Sequence, residues 1–289
     1  MDLSIIILNY KTREITLDCL KSIFASDLGN YQIEVILVDN ASLDGSVETF
    51  AKIKIPKNIS FEIIENQKNL GFAGGNNVGL KKARGAYLLL LNSDVLLQKE
   101  TLKKQLEFMQ NYVQYHASTC KLLLKNGKID PACHRGFPTP WNSFAYFSRL
   151  EKIFPDNKFF GGYHQGFRNL KEIHTVDAIS GAFFMIKKEA LDKLGFLDEA
   201  FFMYGEDLDW CLRLKNLGLK IGFYPQNQAL HLKGFSGREK QDKKIKQKSD
   251  LYFWQAMKIF YQKHYEKQYS SFLNFLIYQI LNYKIKQFS

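Results

Sequence analysis

Runs of apolar residues alternate with helix-like spacings over the first part of the chain. Runs with the content of buried strands lie at residues 3–8, 33–38, 61–64 and 86–91. Between the first two runs, apolar residues recur at the three- and four-residue spacing of a helix, with Thr12 available as its cap. This alternation predicts an α/β fold built on a parallel sheet.

Polar residues follow three of these predicted strands at the point where each ends. Asp39 follows the second strand, the glycine-rich stretch 69–77 follows the third, and Asp94 follows the fourth. We place a helix at 76–83, after the glycines. Because ligands bind at the carboxyl edge of open parallel sheets, we expect a ligand site there, although each residue alone is also typical of a turn.

The pattern is less regular in the second half of the chain. Residues 125–172 hold four prolines and scattered aromatic residues without periodicity, which indicates a functional loop or a small helical insertion that binds an acceptor. Beyond this segment the pattern predicts a strand at 176–186, helices at 188–194 and 205–217, and strand-like pieces at 221–224 and 229–231.

The composition is that of a globular protein, but the charge is unevenly distributed. Residues 233–289 contain twelve Lys and Arg against four acids, a net charge of +8, which leaves +3 for the rest of the chain. The same stretch is rich in aromatic residues. Basic and aromatic composition is typical of contact with nucleic acid or with an anionic membrane surface, and equally of a solvated basic helix that covers a catalytic domain.

Localisation signals are weak. An acid, Asp2, stands where a signal peptide carries basic residues, and no run approaches the roughly 18–20 apolar residues that span a bilayer. The four cysteines form no CxxC pair, which predicts neither a zinc site nor a disulfide framework. We therefore expect a cytoplasmic protein, with contact to the inner face of the cytoplasmic membrane as an open alternative.

Several common nucleotide and hydrolase motifs are missing from the sequence. The first strand is followed by Asn9 and Tyr10 rather than by GxGxxG, and the chain has neither a Walker loop nor a GxSxG elbow. These features argue against hydride transfer, ATP hydrolysis and a serine hydrolase.

Two residues could contribute to a metal site. Asp94 follows an unbroken apolar strand, and such a carboxylate together with a substrate diphosphate typically holds Mg²⁺ or Mn²⁺. Asp94 could equally cap the helix that we expect near Thr101. His231 ends the last strand-like piece, where it could bind a metal or phosphate or simply be a surface histidine.

An acidic pair opens the helix predicted near Gly205. With that start, Asp207 heads an apolar face that turns inward, and Glu206 and Asp209 lie on the flanking, wetter side. A carboxylate at a helix N-terminus is kept ionised by the helix dipole, which suits a base that accepts a proton from a hydroxyl. Ordinary N-terminal capping would explain the same acids.

In combination, these segments resemble the glycosyltransferase family 2 proteins of GT-A fold, in particular their bacterial rhamnosyltransferase-like members. The resemblance covers residues 3–237. It implies a Rossmann-like mixed sheet flanked by helices in a catalytic domain at 1–237, with halves at 1–100 and 101–237, and a basic helical tail at 238–289. The segments that carry it are SIIILNY at 4–10, VDNAS at 38–42, NLGFAGGN at 69–76, LNSD at 91–94, Asp177 with SGA at 180–182, FMYGEDLD at 202–209, and His231.

The resemblance also implies roles for individual residues. Asp39 would read the nucleotide base, Asp94 would hold the metal with His231 beside it, and Asp207 of the Glu206–Asp207 pair would be the catalytic base. Asn92 stands where the family's metal motif has its first acid, so metal binding would depend partly on the nucleotide. The remaining assignments are Asn9, Tyr10, Asn69, Gly74, Asn76 and Asn92 to the nucleotide, and Asp177, Gly181 and Trp210 to the acceptor.

The expected activity is an inverting, Mg²⁺- or Mn²⁺-dependent sugar transfer in cell-surface polysaccharide synthesis. The donor would be dTDP-rhamnose or a UDP-sugar, and the acceptor a saccharide, polyprenyl-linked in view of the tail. Residues 272–281 are too short to span a membrane but could lie in its interface or pack on the core. The alternatives are a non-catalytic nucleotide-sugar binder of the same fold and, less favoured, a nucleic-acid-binding protein. The sequence leaves open whether the chain forms a homodimer.

Overall fold

The computed structural model describes residues 1–233 and 243–289. Within these ranges, nine strands form one sheet in the order β3-β2-β1-β4-β8-β6-β9-β5, with β7 paired to β9. The strands are β1 (Leu3–Asn9), β2 (Ile33–Asp39), β3 (Ile59–Glu65), β4 (Tyr87–Asn92), β5 (Val95–Leu97), β6 (Tyr115–Leu124), β7 (His174–Val176), β8 (Phe183–Lys187) and β9 (Lys220–His231).

Helices flank the sheet and continue into the tail. They are α1 (Arg13–Phe24), α2 (Ser46–Phe50), α3 (Gly71–Lys82), α4 (Thr101–Asn111), α5 (Pro140–Phe147), α6 (Leu150–Ile153), α7 (Lys188–Leu194), α8 (Glu206–Asn216), α9 (Lys243–His264) and α10 (Ser271–Phe288). The mixed α/β fold that the sequence predicts is confirmed.

The four strands β3, β2, β1 and β4 are parallel and end at one edge. Asn9 of β1 lies opposite Asp39 of β2, and Leu8 lies opposite Asn92 of β4. The central strands are almost wholly buried because helices cover both faces, as their unbroken apolar runs predict. The register therefore brings the polar residues after β1, β2 and β4 to a common edge.

The glycine-rich stretch forms the beginning of a helix, whereas the sequence pattern predicts that the helix begins after the glycines. Helix α3 begins at Gly71, five residues before the predicted start at 76. A Cβ atom at Gly75 would lie 2.4 Å from Leu8 Cδ1, and one at Gly79 would lie 2.6 Å from Ile6 Cγ2. These glycines are needed because they let α3 approach β1 closely.

The second half of the sheet differs from the sequence-based expectation. The strand predicted at 176–186 is interrupted, and residues 177–182 separate β7 from β8. Strands β5 and β6 were not predicted, and the two pieces near the end of the body form one strand, β9. The insertion at 125–172 contains the short helices α5 and α6, which agrees with a small helical insertion.

The described part of the tail, residues 243–289, contains the two antiparallel helices α9 and α10. Tyr261 of α9 donates to Asn274 near the beginning of α10, and Gln247 of α9 donates to the carbonyl of Phe288 near its end. The domain boundary predicted at 237 and 238 lies outside the described residues. Among the helices in the described ranges, none is both long enough and apolar enough to cross a membrane.

Candidate active site

The ends of β1 and β2 are joined by a buried hydrogen-bond network. Asn9 Nδ2 donates to Asp39 Oδ1 at 2.6 Å and to Ser42 Oγ at 3.0 Å, and the backbone N–H of Ser42 donates to Asp39 Oδ2 at 2.9 Å. Thr12 donates to Asn9 Oδ1 and makes no side-chain cap for α1, contrary to expectation. Asp39 is therefore held in one orientation, and Tyr10, which follows the end of β1, is exposed.

Asn40 organises the loop before α3, a role that the sequence did not single out. Its Nδ2 donates to Asn69 Oδ1 at 2.9 Å and to the carbonyl of Gly71 at 3.1 Å. Its Oδ1 accepts from Asn66 Nδ2 and from the N–H of Leu70, both at 3.0 Å. All four polar contacts of the amide are internal, so Asn40 fixes the loop to the end of β2. The one feature of the sequence that could have pointed to Asn40 is its place in the VDNAS segment.

The beginning of α3 contacts the segment that precedes α8. The N–H of Phe72 donates to the carbonyl of Phe202 at 2.7 Å. Gly71 has a φ of +75°, and a Cβ there would lie 2.4 Å from the Phe202 oxygen. Gly74 and Asn76 are buried in the helix, and Asn76 Nδ2 donates to the carbonyl of Phe72. The observed contacts of these two residues stabilise α3, and their assignment to the nucleotide remains a prediction.

Asp94 and His231 lie together at the end of β4 and β9. His231 Nε2 is 3.3 Å from Asp94 Oδ1, and His231 Nδ1 is 2.7 Å from Asp130 Oδ2. Burial opposes the charge of this imidazole, but its hydrogen bonds to the two carboxylates outweigh burial and raise the pKa of His231 to about 9. Burial also opposes the charge of Asp130, yet His231 and Lys233 hold its pKa well below the ordinary value. Asp130, in the insertion, was not foreseen from the sequence.

The donor set fits a weak metal site. No group of three or more His, Cys, Asp or Glu side chains in the described ranges is arranged to hold a metal. Asp94 nevertheless offers a hard carboxylate oxygen of the kind that Mg²⁺ and Mn²⁺ prefer, with His231 at its side. A cation there would take its remaining ligands from a nucleotide diphosphate and water, which agrees with Asn92 in place of a second acid.

Asp207 lies close to the end of β4 through a short series of contacts. Its Oδ2 accepts from Arg135 Nη2 at 2.8 Å and from the N–H of Gly181 at 3.3 Å. The next residue, Ala182, accepts from the N–H of Asn92 at 3.0 Å. The Asp207 side chain keeps 13% of its surface exposed. The structure thus brings Asp207 and Gly181 to the same edge as the segments that the resemblance assigns to the nucleotide.

The expected wet side of α8 is buried. Glu206 is 5% exposed, and its Oε2 is buried with no hydrogen-bond partner among the described residues. Burial and the neighbouring Asp207 raise the pKa of Glu206. Asp209 is fully buried because α9 covers this side of α8, and it pairs with Lys263 and His264. The prediction that Glu206 and Asp209 face solvent was wrong.

The residues predicted to bind the acceptor do not all reach the site. Trp210 is wholly buried, and its indole N–H donates to the carbonyl of Gly195 at 3.0 Å, so it is a core residue and its assignment to the acceptor is withdrawn. Asp177 accepts from Lys215 Nζ at 2.8 Å and from Gln165 Nε2 at 2.7 Å. Asp177 therefore anchors the insertion to α8.

Arg135 is a site residue that sequence reasoning missed. It comes from the insertion, and besides Asp207 its guanidinium contacts Tyr163 Oη at 3.4 Å. Burial opposes its charge, but Asp207 and Tyr163 outweigh burial and raise its pKa. Its Nε is buried with no partner among the described residues. No local pattern in the sequence marks this arginine, because its partner lies far away in the chain.

Comparison with known proteins supplies the family. The model of the family described as glycosyl transferase family 2 matches residues 4–195. A hexosyltransferase of low-salt glycan biosynthesis from Haloferax volcanii is 27% identical over 235 residues, 80% of this chain and 67% of that protein. The rhamnosyltransferase WbbL of Escherichia coli is 23% identical over 176 residues, 56% of this chain and 60% of WbbL.

A solved structure shares the fold. The mannosyltransferase PcManGT from Pyrobaculum calidifontis, in complex with GDP-Man and Mn²⁺, has a TM-score of 0.60 and 16% identity, over 89% of this chain and 63% of that one. The fold is therefore GT-A. The chain spans only 22% to 34% of the length of six further curated glycosyltransferases that it matches.

Proposed function

Because the chain belongs to glycosyltransferase family 2, we propose that it transfers a sugar from a nucleotide donor to a hydroxyl group of a saccharide. One observation supports this most strongly. The contacts from Asn92 through Ala182 and Gly181 to Asp207 bring a carboxylate that keeps 13% of its side-chain surface exposed to the edge where β1, β2 and β4 end. If the donor binds at that edge, Asp207 lies where a base is needed to take the proton of the acceptor hydroxyl.

The donor is assigned to the residues at the ends of β1 and β2. Asp39, held by Asn9 and Ser42, would accept hydrogen bonds from the nucleotide base, and the exposed Tyr10 would lie against it. The loop that Asn69 and its neighbours form would border the ribose and diphosphate. We propose dTDP-rhamnose or a UDP-sugar as donor, and the similarity to a rhamnosyltransferase supports the first.

Asp94 would hold Mg²⁺ or Mn²⁺, with His231 next to it. The presence of Mn²⁺ in the PcManGT structure supports a divalent ion in this fold. Bound there, the ion would supply positive charge to the departing diphosphate. Asp130 pairs with His231 Nδ1 and so fixes the orientation of the imidazole whose Nε2 lies beside Asp94.

Asp207 is assigned as the general base, positioned by Arg135 and the N–H of Gly181. It would take the proton of the acceptor hydroxyl as that oxygen attacks the anomeric carbon, on the face opposite the leaving diphosphate. One displacement of this kind inverts the anomeric configuration. Glu206, buried beside it, is assigned to the support of Asp207 and not to proton transfer.

The acceptor would bind between the insertion at 125–172 and α8. Arg135 and Gly181 border Asp207 from this side, and Asp177 ties the insertion to Lys215. We propose a polyprenyl-linked saccharide as acceptor in cell-surface polysaccharide synthesis. We also propose that residues 1–237 form the catalytic domain and residues 238–289 a tail.

A turnover assay tests this proposal. Release of nucleoside diphosphate from dTDP-rhamnose, UDP-sugars and GDP-sugars is measured with saccharide and lipid-linked saccharide acceptors, and the anomeric configuration of the product is read by NMR. We expect one preferred donor and an inverted product. Binding of nucleotides without breakdown of any donor would favour the non-catalytic binder instead, and a retained configuration would contradict the single displacement.

A further inference from the structure

One face of helix α10 is apolar and exposed. Its opposite face packs on α9 through Ile277, Leu281 and Ile285. The exposed side chains follow the three- and four-residue spacing of a single helical stripe. They are between 40% and 71% exposed: Phe272, Phe275, Leu276, Ile280 and Tyr283.

Positive charge borders one end of this stripe. Helix α10 contains no Asp or Glu. Gln247 donates to the carbonyl of Phe288, which brings the beginning of α9 next to the end of α10. The lysines gathered at this end are Lys243, Lys244, Lys246, Lys248, Lys284 and Lys286. Such a cluster produces a positive potential beside the apolar stripe.

A second exposed apolar patch adjoins the first through Trp254. The ring of Trp254 stacks on Phe147 of α5 with 5.6 Å between centroids, and Lys284 Nζ of α10 lies 5.8 Å from the centroid of the same indole. Beyond Phe147 the insertion exposes further large apolar side chains, namely Trp141, Phe144, Ile153, Phe154 and Phe159. The insertion and α10 thus present neighbouring apolar surfaces with Lys284 at their junction.

We propose that this combined surface, called here the docking face, binds an anionic lipid bilayer. Helices with an apolar stripe and flanking lysines lie in the membrane interface, and Trp and Tyr side chains favour that depth. Charge complementarity favours lipid over a second copy of the chain, because a second copy would bring the same lysines and anionic headgroups bring the opposite charge.

The docking face would also bring the active site to the membrane surface. The insertion that carries Phe144 and Phe147 supplies Arg135, which contacts Asp207. A lipid-linked acceptor would therefore reach Asp207 from the bilayer to which the insertion is attached. This last step rests on the proposed function, whereas lipid binding itself does not.

Vesicle co-sedimentation tests the docking face with the full chain. The two vesicle preparations are phosphatidylcholine alone and phosphatidylcholine mixed with phosphatidylglycerol, each at low and high salt. The test variant is Phe275→Asp with Ile280→Asp. The matched control is Asn58→Asp with Ser60→Asp, which adds the same charge at exposed positions on the nucleotide half. Melting temperature confirms folding, and calorimetry of UDP, dTDP and GDP with Mn²⁺ reports the donor site separately.

We expect the wild type and the control to bind the anionic vesicles and to be released by salt. The test variant should bind at least about tenfold more weakly while it binds nucleotide as the wild type does. Absence of wild-type binding to anionic vesicles would overturn the proposal, as would equal binding of the test variant. If the wild type does not bind vesicles and the molecular mass measured by light scattering is halved in the test variant, the docking face binds a second copy of the chain instead.

Discussion

The two halves of the active-site edge are built differently. At the ends of β1 and β2, Asn9 and Asp39 are joined across neighbouring strands by hydrogen bonds in which only the aspartate carries a charge. In the part of the site that the second half of the chain supplies, charged side chains pair over long stretches of sequence: Arg135 with Asp207, and Asp130 with His231. The part at the ends of β1 and β2 is thus fixed by the register of neighbouring strands, and the other part depends on how distant segments pack.

This difference explains what the sequence could predict. The apolar runs revealed β1 to β4, and the register of a parallel sheet brings Asp39 and Asp94 to one edge without further information. Asp130 and Arg135 were missed because their partners are 101 and 72 residues away, and nothing near them in the chain marks the pairing. The positions of Asp39 and Asp94 could be derived from the pattern, whereas the partners of His231 and Asp207 required the folded chain.

Tertiary packing also explains the errors in detail. The stretch 71–75 has the glycines of a loop, yet it is helical because α3 packs closely on Leu8. The acidic side of α8 was expected to be wet, but α9 covers Asp209. In both cases a neighbour that is distant in sequence determines the local structure or burial, and local propensity alone does not predict this.

The largest effect should come from Asp207→Asn. Without a base for the acceptor hydroxyl, the rate of sugar transfer should fall by about 10² to 10⁴, while the Kd for nucleotide stays as in the wild type. Asp192→Asn, at an exposed position of α7, is the control for the loss of a carboxylate. Steady-state turnover and calorimetry measure the two quantities. A tenfold weaker nucleotide Kd in Asp207→Asn would place this residue on the donor side instead.

Arg135→Gln should be the next most severe change. It leaves Asp207 without its buried cation, so the free energy of unfolding should drop by about 3 kcal/mol. In an Asp207→Asn background the same change should cost less, because the pair is already broken. Urea unfolding of the four proteins of this double-mutant cycle measures the coupling. Strict additivity would show that the 2.8 Å contact contributes nothing to stability.

Gly71→Ala and Gly127→Ala form a matched pair, since both glycines have a φ of +75°. A Cβ at position 71 also meets the Phe202 oxygen, whereas at position 127 nothing lies within 4 Å. We expect a loss of unfolding free energy of about 1 kcal/mol for Gly127→Ala and of about 2–3 kcal/mol for Gly71→Ala. Only Gly71→Ala should weaken nucleotide binding. If the two variants lost equal unfolding free energy and equal nucleotide affinity, the contact with Phe202 would not be the cause of either loss.

Asp209→Asn tests how α9 holds α8. Despite burial, His264, Lys263 and Arg213 lower the pKa of Asp209 from 3.8 to about 2. A lowered carboxyl pKa stabilises the folded state above the unfolded pKa, and the gain is lost as pH falls through the folded value. Asp209→Asn should therefore lower the free energy of unfolding by about 2 kcal/mol at pH 7. The difference between wild type and variant should become smaller from pH 5 to pH 3. Urea unfolding across this range would contradict the assignment if the difference stayed constant.

The central claim is that the carboxyl edge of β1, β2 and β4 binds a nucleoside diphosphate together with a divalent cation at Asp94. The most direct measurement is calorimetric binding of UDP, dTDP and GDP with and without Mn²⁺, to the wild type, to Asp94→Ala and to the exposed control Asp18→Ala. We expect one preferred nucleotide, tighter binding with Mn²⁺ in the wild type and in Asp18→Ala, and loss of the metal effect in Asp94→Ala. Failure of the wild type to bind any of these nucleotides, or a metal effect that survives in Asp94→Ala, would contradict it.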